Sequence, residues 1–300
     1  MSITNRLAGV FPPVPTPFDA QGDIAPAKLA DNLRQLATTS LSGFIILGSN
    51  GEYVYLDEAE KQELFTAARQ AIPADRLFVA GTGAESTRMA LRLTLAAAAA
   101  GADAAIVITP SYYKPAMGHE AQVKHFTTLA DASPIPVILY NMPAYAGIDM
   151  SVDTVLKLAE HPNIIGLKES SGNIVKISEI VREVTARSLD FKVLAGSASF
   201  LQAALAVGAT GGIVATANVA PEQCIELYRL TTGEGTNQSA RDLQHRLLPL
   251  NAAVTTRFGV AGLKYAMEKV KLYGGDVRPP LLPLTAPGRS EIDRILSELE

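Results

Sequence analysis

The chain has 300 residues, of which 48% are hydrophobic and 19% charged, and its formal net charge is −4. This balance excludes a disordered chain and supports a large core, and with no basic tract nucleic acid is not an expected partner. Domains usually run to about 100–250 residues and a (β/α)8 barrel to about 250, so the length allows one barrel with roughly 50 residues over, or two ordinary domains.

One cysteine, Cys224, excludes an intrachain disulfide and fits a reducing compartment. The first six residues lack the cationic-then-apolar pattern of a signal peptide. The longest apolar stretch, residues 95–108, is interrupted by Gly101 and Asp103 and is too short to span a bilayer. The expectation is a cytoplasmic protein with no membrane partner.

In chain order, short apolar runs fall at residues 9–15, 43–47, 77–80, 104–109, 137–140, 164–168, 192–195 and 211–216. They are aliphatic with little polar alternation, as expected of strands covered on both faces. Helical-period segments lie between them, at 57–71, 86–100, 119–131, 151–160 and 174–186. Asp57 and Ser151 are candidate N-caps, and Gly101 and Gly208 candidate helix stops. Eight strands alternating with helices indicate parallel βα units. An open doubly wound sheet alternates in the same way. The strand count and the absence of a Gly-x-Gly-x-x-Gly fingerprint after the first strand favour a (β/α)8 TIM barrel. Gly81-Thr82-Gly83 lacks the third glycine, and no P-loop occurs. After residue 233 the β runs stop, and candidate helices follow at 238–254, 262–273 and 290–300. We therefore expect a barrel over 1–233 and a C-terminal helical extension over 234–300.

In such a barrel the working residues sit at the C-terminal ends of strands. Lys168 ends the run from Ile164, and alternation places it with Ile164 and Gly166, opposite Ile165 and Leu167. If that face points inward, its amine enters an enclosed apolar site. Desolvation there disfavours an ammonium and so favours a Schiff-base nucleophile. On the pattern alone, a lysine that snorkels outward or pairs with Glu169 or Glu52 is the commoner outcome. Tyr140 ends the preceding strand and could shuttle protons, or simply pack at the rim. The loop Gly48-Ser49-Asn50-Gly51-Glu52 could hold a carboxylate on hydroxyl, amide and backbone N–H groups, or be an ordinary βα turn.

The histidines His119, His125, His161 and His245 form no metal-binding spacing with one another or with Cys224. His119 and His125 read as surface positions on one helix. Metal-dependent chemistry is disfavoured, and no Gly-x-Ser-x-Gly nucleophile elbow is present.

Together, Gly48-Ser49-Asn50-Gly51-Glu52, Tyr140-Asn141-Met142-Pro143 and Gly166-Leu167-Lys168-Glu169-Ser170-Ser171-Gly172-Asn173 resemble the signature blocks of the dihydrodipicolinate synthase / N-acetylneuraminate lyase family. The resemblance runs over essentially the whole chain. It implies a class I, pyruvate-handling aldolase that needs neither metal nor organic cofactor. By position, Lys168 matches the Schiff-base lysine, which reverses the preference above, and Tyr140 matches the proton-shuttling tyrosine. Ser49 matches the hydroxyl that relays protons and holds the pyruvyl carboxylate, with Asn50 beside it. Tyr112 matches a tyrosine that reaches a neighbouring subunit's site, with Tyr113 as the fallback. Ile213 matches a position whose backbone lines the pyruvate pocket, and Gly196 and Ser170 lie at strand ends in the same region.

Tyr145 stands where dihydrodipicolinate synthases carry an arginine, and a tyrosine cannot offer a cationic fork. The Gly48–Glu52 loop, Ser170, and stretches 193–200 and 243–259 resemble 4-hydroxy-2-oxoglutarate aldolases instead, although Tyr145 departs from their pattern too. The resemblance thus implies cleavage of 4-hydroxy-2-oxoglutarate to pyruvate and glyoxylate. Dihydrodipicolinate synthase or a sugar-acid aldolase is the alternative, and a non-catalytic binding protein on the same scaffold a minor one. It also implies a homotetramer, a dimer of dimers with Tyr112 at the tight interface.

Overall fold

A computed structural model describes residues 2–234 and 236–299, and in it nine parallel strand segments form one sheet. β1 (Gly9–Phe11) pairs with the last segment, β9 (Gly211–Ile213), and β2 (Pro13–Val14) pairs with β3 (Gly43–Ile46). β1 and β2 are halves of one strand. Pro12 between them has no N–H to give, yet its carbonyl accepts from the Ile45 N–H at 3.0 Å, so the ring closes. The other staves are β4 (Leu77–Gly81), β5 (Ala104–Ile108), β6 (Val137–Asn141), β7 (Ile164–Glu169) and β8 (Lys192–Ala195). The result is the expected (β/α)8 barrel.

The helices are α1 (Ile3–Arg6), α2 (Pro26–Leu36), α3 (Glu58–Ala71), α4 (Thr87–Ala99), α5 (His119–Ala132), α6 (Pro143–Ala146), α7 (Val152–Ala159), α8 (Ile174–Ala186), α9 (Leu201–Ala206), α10 (Pro221–Arg229), α11 (Asn237–Ala252), α12 (Gly259–Lys269) and α13 (Ala286–Leu299). Their starts follow from local chemistry. Asp57 accepts from the Glu60 N–H, and the Glu60 carboxylate accepts from the Asp57 N–H, both at 2.9 Å, which satisfies two orphan amides at the start of α3. Ser86, Ser151 and Asn173 cap α4, α7 and α8 in the simpler way.

The core has two layers. Inside the barrel, Phe11, Ile45, Val79, Ile106, Ile138 and Leu194 pack with Leu7, which the short α1 brings in ahead of β1. The larger layer lies between strands and helices and includes Phe44, Phe65, Phe78, Phe126 and Leu167. Burial on both faces is why the strand sequences do not alternate.

Two expectations are corrected. Ile164 does not share a face with Lys168. The β6–β7 register slips between Val137 and Ile138, which pair with Ile164 and Gly166. That bulge turns Ile165 into the barrel and Ile164 toward the helices, while Gly166 and Lys168 keep the inward phase. His125 is not a surface residue: it is 6% exposed, with Nδ1 2.8 Å from Thr87 Oγ1 and its ring edge-on to Phe126.

Burial pushes the His125 pKa down to about 4. Between the ordinary value near 6.5 and that value, the unfolded chain binds a proton that the folded chain refuses. The contribution of His125 to stability is therefore fully present above about pH 6.5 and is lost as pH falls toward about 4. His125→Gln should flatten that decline, which amounts to about 3 kcal/mol, when urea midpoints are compared at pH 7 and pH 4.

Candidate active site

The C-terminal ends of the staves open onto a cavity of about 280 Å³. Lys168 and Tyr140 enter it from β7 and β6, where the two are Cα partners across the ladder. Ser49 and Asn50 arrive from the turn after β3, Ser170 from the end of β7, Gly196 from the end of β8, and Tyr145 from α6. Seven of the ten site candidates named from the sequence, with Tyr113 counted as the fallback for Tyr112, thus line one cavity.

Lys168 is 4% exposed, and its Nζ lies 4.2 Å from the centroid of the Tyr140 ring. The Tyr140 hydroxyl is 3.2 Å from Ser49 Oγ. The two carboxylates that could have paired with Lys168 are engaged elsewhere. Glu169, fully buried, accepts from Asn141 Nδ2 on both carboxylate oxygens at 2.9 and 3.0 Å, from the Ser171 N–H at 2.6 Å, and sits 3.0 Å from Lys176 Nζ. Glu52 lies 2.6 Å from Lys264 Nζ and accepts from the Arg278 N–H at 2.8 Å. Strand alternation explains the first case, because Glu169 points out toward α8 as Lys168 points in. The Lys168 amine therefore forms no ion pair among the described residues.

Two further polar groups in the wall are buried without partners: Asn50 Nδ2 and Ser170 Oγ. Buried donors are rarely left unsatisfied unless a ligand or water meets them. Gly196 gives Ser170 its room, since a Cβ there would overlap the Ser170 hydroxyl. Apart from Lys168, the described lining residues carry no charged side chain. Tyr145 lines the same cavity, and partial burial, then the neighbouring Tyr140, raises its pKa above the usual tyrosine value. An adjoining recess holds Tyr53, pushed up to about 12 by burial and by Tyr140 and Glu85.

The other three candidates lie elsewhere. Ile213 sits deeper, within the barrel's inner cluster, and Ala215 two residues on reaches the wall instead. Tyr112 is 77% exposed on the loop after β5, edge-on to Tyr113, with its N–H held by Glu85 at 2.8 Å. Conversely, Val254, Thr255 and Thr256 complete the wall from the π-helical stretch Ala253–Arg257 that continues α11, with Gly259 and Val260 from the first residues of α12. Attention to strand ends alone could not find them. No three or more His, Cys, Asp or Glu among the described residues gather in a metal-binding group, and no described helix is long and apolar enough to cross a membrane.

The model of the dihydrodipicolinate synthetase family matches residues 6–299. The chain belongs to this family. A 4-hydroxy-tetrahydrodipicolinate synthase of Methanococcoides burtonii is 35% identical over 97% of this chain and 98% of its own. The "Probable 4-hydroxy-2-oxoglutarate aldolase, mitochondrial" of Emericella nidulans is 36% identical, covering 95% of this chain and 91% of its own. Among solved structures, a dihydrodipicolinic acid synthase family prophage protein from E. coli K12, in complex with pyruvate, superimposes with a TM-score of 0.90. It is 28% identical and covers 97% of this chain and 98% of its own. As a dihydrodipicolinate synthetase family member the protein is an enzyme of the carbon–carbon lyase and aldolase class.

Proposed function

We propose that the enzyme is a Schiff-base aldolase that cleaves 4-hydroxy-2-oxoglutarate to pyruvate and glyoxylate. The observation that carries this reading is the Lys168 amine, buried and without a carboxylate partner, against Tyr140 and its Ser49 link. Unprotonated, Lys168 attacks the C2 carbonyl of the 2-oxo acid. Loss of water from the carbinolamine leaves an iminium, which is an electron sink. Tyr140, linked to Ser49, gives its proton to the hydroxyl that leaves as water; as phenolate it then takes the proton of the C4 hydroxyl, the C3–C4 bond breaks, and the electron pair of that bond enters the enamine as glyoxylate departs. Protonation at C3 and hydrolysis of the imine release pyruvate and return the amine. Asn50 and Ser170 offer donors to the second carboxylate, a role their unpartnered state supports.

The rival reading is 4-hydroxy-tetrahydrodipicolinate synthase, the name of the Methanococcoides burtonii relative. Against it stands a cavity wall with no described arginine. Borohydride reduction with pyruvate should leave a pyruvyl adduct on Lys168, and absence of that adduct overturns both readings. Cleavage of 4-hydroxy-2-oxoglutarate, assayed beside condensation with aspartate semialdehyde, separates them. Tyr145→Phe should leave trapped pyruvate within about twofold and change the ratio of those two activities. An equal loss of both would place Tyr145 at the pyruvate end. We read Tyr112 as reaching into a second subunit of a homotetramer, which the exposure of Tyr112, Tyr113 and Val54 supports.

A further inference from the structure

We propose that Lys264, far along the C-terminal helices, is a positioning residue that acts through Glu52 on the turn carrying Ser49 and Asn50. The turn is bracketed by two non-glycine residues in left-handed backbone, Leu47 at φ 62° and Glu52 at φ 53°. Such conformations persist only where the surroundings over-determine them. At one end, the Leu47 carbonyl packs against Gly81, where a Cβ would overlap it. At the other, Glu52 is 2% exposed and its carboxylate is gripped by Lys264 Nζ at 2.6 Å and the Arg278 N–H at 2.8 Å.

Lys264 is built into this place. It is 1% exposed, donates to the Asp276 carbonyl at 2.8 Å, and lies 4.4 Å from the centroid of the Phe18 ring. Arg278 lies 4.5 Å from the same centroid and holds Glu60 and the Tyr55 carbonyl, so the grip extends along the connection from β3 to α3. The route from Glu52 to Ser49 is short and stiff. The Glu52 N–H donates to the Ser49 carbonyl at 3.1 Å, and the Gly51 carbonyl accepts from Thr16 Oγ1 at 2.6 Å.

The sensitive contact is at the far end. The Ser49–Tyr140 separation of 3.2 Å already exceeds the usual range for two hydroxyls, about 2.5–3.0 Å. A shift of the turn by a few tenths of an ångström breaks it. Removing the Lys264 charge also leaves Glu52 buried without its cation, which drives that carboxylate toward water and the turn with it.

This inference rests on the relay assigned to Ser49, and its test separates the two. Wild type, Ser49→Ala, Lys264→Met and the double variant are given pyruvate in deuterated buffer. Exchange of the methyl protons is followed by NMR, and imine is trapped with borohydride at saturating pyruvate. Ser49→Ala and Lys264→Met should each slow exchange by about 10²-fold while trapped imine stays within about threefold. The double variant should be no slower than Ser49→Ala by more than about twofold, because both changes remove one contact. Multiplying effects would overturn the positioning role while leaving the Ser49 relay standing. Normal exchange in Ser49→Ala would overturn the relay itself and this inference with it. Glu52→Gln with Lys264→Met buries no unpaired charge and serves if Lys264→Met fails to fold. It should show the same slowed exchange, and a wild-type rate there overturns the proposal.

Discussion

Lys168→Met is expected to lose turnover by at least about 10⁶-fold, to the level of the uncatalysed reaction, with no pyruvyl adduct after borohydride. Methionine keeps the apolar stem and removes only the nucleophile. Lys168→Arg should be as inactive, because a guanidinium stays protonated and cannot form the imine. Neither loss should come from unfolding. Lys176 and Lys264 already hold Glu169 and Glu52, so removing the Lys168 amine strands no buried carboxylate. The melting temperature of Lys168→Met should equal or exceed that of wild type, as happens where a buried polar group serves chemistry at the expense of packing. Thermal unfolding beside the turnover and trapping assays checks both halves. A large fall in melting temperature would show that Lys168 holds the fold.

The strands were legible because each is an apolar run buried on both faces, and the caps at Asp57 and Ser151 because they obey local chemistry. What escaped depends on distant chain. The slip that turns Ile165 inward belongs to the pairing of β7 with β6, so no property of residues 164–168 announces it. α2 begins after Ala25 with no side-chain cap, and its buried Asn32 reads as polar until Tyr273 arrives to satisfy its amide. His125 could have been placed correctly. Gln122, His125, Phe126 and Leu129 form one helical stripe, and all four are buried. Strand-end position made Lys168, Tyr140 and Ser49 candidates, but only the likeness of their blocks to the family's signature turned the preference toward them. Which lysine each carboxylate takes, and the wall supplied by Thr255 and Thr256, follow from the tail folding across the barrel mouth.

Tyr140→Phe isolates the proton-transfer step from the covalent one. The ring that Lys168 lies against stays in place, and only the hydroxyl beside Ser49 is lost. We expect kcat to fall by about 10²–10⁴-fold, the usual worth of a positioned proton shuttle, with KM for the 2-oxo acid within about threefold. Trapped imine should still accumulate, more slowly, because the nucleophile is intact. Within one subunit, the two nearest other phenols are less suited to the step. Tyr53 is pushed up to about 12 and lines the adjoining recess, and Tyr145 lies mostly exposed at the mouth. Steady-state rates and the time course of borohydride trapping measure the two steps separately. If kcat instead stays within about threefold, the proton travels by water, and the closeness of Tyr140 to Ser49 serves packing alone.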